Sequence, residues 1–407
     1  MPPPRPHPLA RAPLVDRLDR FLAASWDRGW MPPPPLEAET LLERGAKGFE
    51  AEDEAGGRDP GDIADFRTRL DRLLASLTDE AQLNAVGEAF AYGQLIRAIR
   101  QRFALGRLWR EQPELLETEL AAPIIVVGQM RSGTTRIHRL LAADPAHSAT
   151  RFCDSWHPVP ETPDLRPLRG GFKLFMARRL DPWLDTIHPF GAARADEELG
   201  WLAGALDHSA YEAQWHIPAY SAWSEARDPA PVYREFARLL RTDAAEHGNA
   251  ARPRVLKTPQ FAEDLPALLA QFPDARVVVS RRCGEETLRS SVSLVANQMT
   301  IQSDAVDLDR IETEWRRKIA LRQERLDAAL ADFDGPVAEI DFDRLGADWE
   351  AEIAALYDAL GLDLTDAALA AMQAEQARAG KSPHRAHAGQ LQAFLPIPGM
   401  KAPTRRL

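Results

Sequence analysis

The residues best suited to bind an anion lie between positions 123 and 143. An apolar run ends in a glycine, and a short loop with one arginine and several hydroxyl groups leads into a helical pattern. Backbone N–H groups at a helix start, hydroxyls and a guanidinium are the groups that bind phosphate. The residues that contribute them are Gly128, Arg131, Ser132, Gly133, Thr134 and Thr135. The segment therefore predicts a strand, a phosphate-binding loop and a helix.

The two glycines of this loop have the spacing of a P-loop, but Thr134 stands where nucleoside triphosphatases place a lysine. This difference favours a nucleotide other than ATP with magnesium. Short glycine motifs also recur by accident, so an ordinary strand-to-helix connection is the alternative that the loop alone leaves open.

A second apolar run, at 277–280, leads into Arg281 and Arg282, and a helical pattern follows with Ser290. An arginine and a serine eight residues apart can meet on one phosphate when a turn and two helical turns separate them. The alternative is a surface arginine and an ordinary helical serine. Because the net charge is −11, an anionic ligand must be held by local cations such as these.

Three segments together resemble sulfotransferases that use 3′-phosphoadenosine 5′-phosphosulfate (PAPS), in the bacterial, tyrosylprotein-sulfotransferase-like branch. GQMRSGTT resembles their 5′-phosphosulfate loop, and VVVSRRCGEETLRSS resembles their 3′-phosphate motif, with Arg282 and Ser290 at the matching positions. RPRVLKTPQ resembles their Lys-Ser/Thr-Pro strand end, which places Lys257 beside the transferring group. The resemblance implies sulfuryl transfer from PAPS to a hydroxyl or amine, release of 3′-phosphoadenosine 5′-phosphate and no required metal.

In this interpretation Lys257 and Arg131 are catalytic as well as binding groups, since cations stabilise charge that develops during transfer. The chain departs here from many relatives, which have a histidine at the position of Gln260 and Asp-Pro at Cys283-Gly284.

The general base is expected to be a carboxylate or an imidazole. Asp154 falls where the family has a glutamate, and His188 and Glu197 lie in a second family-like segment. Our order of preference is Asp154, His188 and then Glu197. Each also has an ordinary alternative, as a helix cap, a core histidine or a solvated face.

The elements that must position these residues are strands of an α/β fold. Apolar runs at 123–127, 254–258, 275–281 and 337–342 alternate with helical patterns, which predicts a P-loop-like parallel sheet flanked by helices. Ligands of such sheets bind at the carboxyl ends of the strands, where all the candidate phosphate-binding residues lie.

The helical patterns outside the sheet predict an N-terminal helical extension and a helical insertion. We expect the following organisation: a disordered tail at 1–13, the extension at 14–118, the sulfotransferase-like domain at 119–365, with the insertion at about 190–250 within it, and a flap or tail at 366–407. The insertion is the expected acceptor pocket, although its aromatic residues suit a core equally well. They are Trp201, Tyr211, Trp215, Tyr220 and Trp223.

Composition narrows the class of protein. No segment has the ~20 consecutive apolar residues of a membrane span, and the net negative charge disfavours nucleic acid as a partner. Cys153 and Cys283 form no metal-ligand spacing, and the proline-rich start does not resemble a signal peptide. We therefore expect a cytoplasmic enzyme with a small-molecule or peptide acceptor. A homodimer is compatible with the sequence.

Two alternatives belong to other classes. A P-loop kinase or nucleotidyl enzyme is disfavoured by the missing lysine. A non-catalytic nucleotide-binding scaffold would explain the departures at Asp154, Gln260 and Cys283-Gly284.

Overall fold

The computed structural model describes residues 5–382. Its sheet has five strands, which are β1 (Ile124–Gly128), β2 (Ser148–Ala149), β3 (Arg254–Lys257), β4 (Arg276–Arg281) and β5 (Val337–Asp341). All neighbours are parallel, in the order β2-β3-β1-β4-β5. The predicted parallel α/β fold is confirmed. The sheet contains the four predicted strands and one more, the two-residue edge strand β2.

The register of the sheet brings the ends of the three central strands together. Val126 of β1 lies opposite Lys257 of β3, and Gly128 lies opposite Ser280 of β4. Every residue of β1 is buried, as is typical of a central strand covered on both faces.

Eighteen α-helices accompany this sheet in the described part of the chain. Those before the sheet are α1 (Pro13–Asp27), α2 (Ala38–Gly45), α3 (Ala51–Ala55), α4 (Pro60–Asp79) and α5 (Ala85–Glu111). Those between β1 and β3 are α6 (Thr134–Ala143), α7 (Phe152–Trp156), α8 (Arg166–Leu180), α9 (Leu184–Ile187), α10 (Leu199–Gly204), α11 (Pro218–Glu225) and α12 (Ala230–Glu246). The last are α13 (Phe261–Gln271), α14 (Gly284–Gln302), α15 (Leu308–Ala331), α16 (Phe342–Ala347), α17 (Trp349–Ala359) and α18 (Asp366–Ala379).

An asparagine marks the start of α5. Helix α4 ends at Asp79, and α5 begins after Asn84. The Asn84 side chain accepts a hydrogen bond of 2.9 Å from the backbone N–H of Gly87, which is the usual function of an asparagine N-cap.

Hydrophobic cores lie on both faces of the sheet. On one face, side chains of α4 and α5 share a continuous core with the strands, and this core includes Leu70, Leu95, Trp109, Ile125 and Val277. On the other face, the core contains residues of α6, α17 and α18 packed against the alternate strand positions. Helices α2, α4 and α5 therefore pack in the same core as the strands, whereas Val15 of α1 packs in a separate cluster with Leu180.

The described parts of both predicted tails have ordered contacts. The guanidinium of Arg5 donates to the carbonyl of Ala10 at 3.0 Å, and residues 366–379 form α18. Residues 1–4 and 383–407, which include most of the predicted flap, lie outside the described residues. Within residues 5–382, the helices are too short or too polar to cross a bilayer.

Candidate active site

The loop between β1 and α6 has the backbone geometry of an anion-binding turn. Arg131 and Gly133 have φ angles of +73° and +96°, which turn the chain sharply before the first helical residue, Thr134. A β-carbon at Gly133 would lie 2.3 Å from the Phe342 ring, so only glycine fits there. The buried hydroxyl of Ser132 has no hydrogen-bond partner among the described residues.

The two predicted phosphate-binding motifs meet at Arg131. Its Nε donates to the hydroxyl of Ser290 on α14 at 2.8 Å, and the guanidinium of Arg282 donates to its backbone carbonyl at 2.8 Å. Arg282 also stacks on Phe342, 4.2 Å from the ring centroid. Burial and the neighbouring Arg282 charge lower the pKa of Arg131 to about 10. An anion bound here would offset both effects.

Lys257 lies at the end of β3, with its side chain buried. Its ammonium group donates to the hydroxyl of Thr135, in the first turn of α6, at 2.9 Å, and forms an ion pair with Glu197. Its backbone N–H donates to the carboxylate of Glu198 at 2.9 Å. At the end of β3, the ammonium group of Lys257 therefore contacts both the hydroxyl of Thr135 and the carboxylate of Glu197.

His188 and two acidic residues continue this network. The Nε2 atom of His188 lies 3.1 Å from a carboxylate oxygen of Asp196, and its Nδ1 lies 3.9 Å from a carboxylate oxygen of Glu197. Burial would raise the pKa of Asp196, but His188 and Arg139 lower it to about 2. Asp196 therefore remains charged and orients His188.

Asp154, the first choice for the base, is not brought to this network. Its carboxylate accepts hydrogen bonds from Arg151 at 2.5 and 2.8 Å and lies 3.2 Å from His247 and 3.5 Å from Arg166. Burial opposes its ionisation, but His247 and Arg151 hold its pKa below the ordinary value. This carboxylate is committed to a buried ion cluster and does not line the cavity described next.

One large cavity, of about 1410 Å³, brings most of the predicted residues together. The predicted residues on its wall are Arg131, Gly133, Thr134, Thr135, His188, Glu197, Lys257 and Arg282. Gly128, Ser132 and Ser290 are not on this wall, although the hydroxyl of Ser290 contacts Arg131. Because ligand pockets usually occupy roughly 300 to 1,000 Å³, this cavity has room for two substrates.

The aromatic residues expected in the acceptor pocket mostly belong to the core. Trp201, Tyr211, Trp215 and Tyr220 are each 1% exposed and pack in the core shared with the sheet. The aromatic side chains on the cavity wall instead include four from α7, from α8 and from the chain after α9: Phe152, Trp156, Phe172 and Phe190.

Several cationic or titratable residues on this wall were not predicted from the sequence. Among them are Arg97 of α5, His157 after α7 and Lys173 of α8. In the sequence they are separate residues in helical patterns, and only their shared position in the fold makes them a group.

Three groups of acidic and histidine residues in residues 5–382 have the spacing to hold a metal. Each group already contains or contacts a cationic side chain, which disfavours a metal ion. Arg151 binds the group at Asp154, Lys257 binds Glu197, and Lys318 binds Glu263 at 3.5 Å.

A parallel sheet with a glycine loop between β1 and α6, and with cations at the neighbouring strand ends, defines a P-loop-like transferase fold. Residues 123–366, more than half of the chain, match the model of the Sulfotransferase family. The chain belongs to this family.

Two mycobacterial sulfotransferases have similar structures. STF1 from Mycobacterium tuberculosis is 26% identical with a TM-score of 0.73, and the alignment covers 88% of this chain and 99% of that one. STF9 from Mycobacterium avium is 19% identical with a TM-score of 0.74, over 84% of this chain and 88% of that one, and supports the fold alone. Among curated proteins no sequence matches significantly. The tyrosylprotein-like branch stays a prediction.

Proposed function

We propose that this sulfotransferase transfers a sulfuryl group from PAPS to a hydroxyl or amine of an acceptor bound in the same cavity. The observation that carries the proposal is the contact of Arg131 with both Arg282 and Ser290. This contact supports the proposal because it joins the two predicted phosphate-binding motifs, so that one nucleotide with two phosphate positions could bind both.

The described residues fit such a donor. The orphaned hydroxyl of Ser132 and the unpaired Nε of Arg282 are donors without an acceptor, and buried polar groups normally have partners. Arg131, Thr134 and Thr135 would hold the 5′-phosphosulfate, together with the backbone of Ser132 and Gly133. Arg282 and Ser290 would hold the 3′-phosphate.

In this proposal, side chains of the protein accept one proton and stabilise one developing negative charge. When bound, PAPS supplies a sulfuryl group whose sulfur–oxygen bond to phosphate breaks as a bond to the acceptor oxygen or nitrogen forms. Glu197, the carboxylate paired with Lys257, accepts the proton that the acceptor loses. Neutralising Glu197 frees the charge of Lys257 to stabilise the departing phosphate oxygen. His188 and Asp196 orient Glu197 from its other side.

This assignment changes the order in which the sequence ranked the candidate bases. Glu197 lines the cavity and contacts Lys257, whereas the carboxylate of Asp154 is bound by Arg151 and His247. His188 is the second candidate because it also lines the cavity.

Calorimetric titration of the purified protein with 3′-phosphoadenosine 5′-phosphate, and separately with ATP and magnesium, tests the donor site. We expect preference for the 3′-phosphorylated nucleotide and a loss of affinity of ~10-fold or more in Arg282→Ala, because a hydrogen bond to a charged group contributes ~1.5 to 3 kcal/mol. Arg281→Ala is the matched control, since Arg281 instead pairs with Asp327 and Glu339. Preference for ATP would favour a kinase, and binding of neither nucleotide would overturn the proposed donor site.

Turnover distinguishes an enzyme from a nucleotide-binding protein. Replacing Lys257 by Ala should reduce turnover ~10²-fold or more with a smaller change in PAPS affinity. Equal losses in both would contradict the role of Lys257 in the transition state. The cytoplasmic location, the homodimer and the domain boundaries stay predictions.

A further inference from the structure

The cavity has a second group of cationic and titratable side chains, away from the strand ends. Arg97 of α5, Lys173 of α8 and His157 surround the indole of Trp156. The ammonium nitrogen of Lys173 lies 3.6 Å from the indole centroid, and the Arg97 guanidinium carbon lies 5.6 Å from it. Contact with an aromatic face stabilises a cation only partly.

These side chains have no counter-charge within residues 5–382. The buried ammonium nitrogen of Lys173 and the Nε2 atom of His157 have no hydrogen-bond partner there, and neither Lys173 nor Arg97 lies within 4.0 Å of a carboxylate. Residues 1–4 and 383–407 contain no Asp or Glu. In a chain with a net charge of −11, a buried cation without an acid is unusual, because an unpaired buried charge is costly.

The pKa shifts of Lys173 and His157 are those expected of groups with no anion nearby. Burial and the charge of Arg97 hold the pKa of Lys173 well below its ordinary value. Burial, Lys173 and Arg97 together lower the pKa of His157 to about 4. A bound anion would reverse the electrostatic part of both shifts.

Apolar side chains line the cavity around these cations. Leu168, Phe172 and Met176 of α8 line the cavity and are 72%, 66% and 41% exposed. Phe152 and Trp156 continue the apolar wall inward. A group bound at Lys173 would therefore be attached to an apolar skeleton.

We propose that the acceptor is an amphiphilic anion, a hydroxylated molecule with an apolar skeleton whose carboxylate, sulfate or phosphate group binds Lys173, Arg97 and His157. This inference rests on the proposed function in that it assigns the remainder of the cavity to the acceptor. The hydroxyl of the acceptor faces Glu197 and Lys257, and its anionic group binds at the opposite wall.

Calorimetry with ω-hydroxydodecanoate and its neutral methyl ester tests this proposal on the full chain, saturated with 3′-phosphoadenosine 5′-phosphate. The two probes share the hydroxyl and the apolar chain and differ in the charge. We expect the acid to bind ~10- to 100-fold more tightly than the ester, in keeping with hydrogen bonds to a charged group. Lys173→Met should remove this difference, and Lys173→Arg should retain part of it.

Arg179→Gln is the matched control, since Arg179 is an exposed cation of α8 outside the cavity wall. It should leave the preference for the acid unchanged. Equal affinities of acid and ester for the wild-type protein would overturn the proposal, as would a preference that survives in Lys173→Met. Unaltered binding of the nucleotide in every variant shows that each is folded. Failure of the nucleotide itself to bind would overturn the proposed function instead.

Discussion

At the residue scale, the ion pair between Lys257 and Glu197 connects donor chemistry to acceptor chemistry. Lys257 contacts Thr135 in the phosphate-binding loop, and Glu197 lies on the cavity wall towards His188. Because the lysine is buried, its charge is poorly screened and depends strongly on its partner. In the proposed mechanism, the protonation state of Glu197 therefore controls how much positive charge Lys257 presents to the reacting phosphate oxygen.

Replacing Glu197 by Gln tests this coupling. We expect turnover to fall ~10²-fold or more, because an amide cannot accept the acceptor's proton, with little change in nucleotide affinity. Steady-state kinetics with an acceptor and calorimetry with the nucleotide measure the two effects.

Asp154→Asn is the informative comparison for Glu197→Gln. It should mainly lower stability, by ~3 kcal/mol, because it removes the buried negative charge that Arg151, Arg166 and His247 surround. Loss of turnover without loss of stability in Asp154→Asn would restore Asp154 as the base.

The raised pKa of Glu198 predicts that the stability of the protein depends on pH. Burial raises its pKa to about 8, whereas in the unfolded chain it ionises near its usual pKa of ~4.3. The folded state therefore binds the extra proton, and the free energy of unfolding should fall as pH rises from ~5 to ~8. Glu198→Gln should remove this part of the slope and be more stable near neutral pH by ~1 to 3 kcal/mol. Urea unfolding at several pH values measures it, and an unchanged slope would contradict the shift.

At the scale of elements, the site depends on how β1 turns into α6. Local residue patterns specify this connection, which is why the strand, loop and helix were predicted from the sequence. The wall of the cavity differs, because Glu197 lies before α10 and pairs with Lys257 at the end of β3, and Arg97 of α5 and Lys173 of α8 both lie near Trp156. Such pairings depend on the three-dimensional arrangement, and no residue type in the sequence signals them. The same reason explains the preference for Asp154, whose partner His247 lies 93 residues away.

Gly133→Ala tests the loop as an element. A residue with a β-carbon at φ +96° costs ~1 to 3 kcal/mol, and here it also collides with Phe342, which stacks on Arg282. We expect the loop to shift and calorimetric affinity for 3′-phosphoadenosine 5′-phosphate to fall ~10-fold or more. Gly346→Ala in α16, where a β-carbon meets no atom within 4 Å, should leave affinity unchanged. Wild-type affinity in Gly133→Ala would show that the loop does not bind the nucleotide.

At the scale of the whole molecule, helices α2, α4 and α5 share one core with the sheet. The helical patterns predicted the N-terminal helical extension, but periodicity gives only the apolar face of a helix and not its partner. Trp109 of α5 shows the partner: its indole N–H donates to Thr242 of α12 at 2.8 Å, and its side chain belongs to the core that contains Ile125 of β1. Cooperative unfolding of both parts is therefore expected.

Trp109→Ala tests this cooperativity by differential scanning calorimetry. Removing a buried tryptophan costs ~3 to 5 kcal/mol, and because the core is shared, the whole protein should unfold in one transition at a lower temperature. A ligand that binds only the folded state raises this temperature, so 3′-phosphoadenosine 5′-phosphate should shift the same single transition although it binds at the sheet.

Trp30→Ala, at a side chain that is 66% exposed, should change stability by less than ~0.5 kcal/mol. Two transitions, of which Trp109→Ala lowers one and the nucleotide raises the other, would instead show that residues 14–118 form an independent unit.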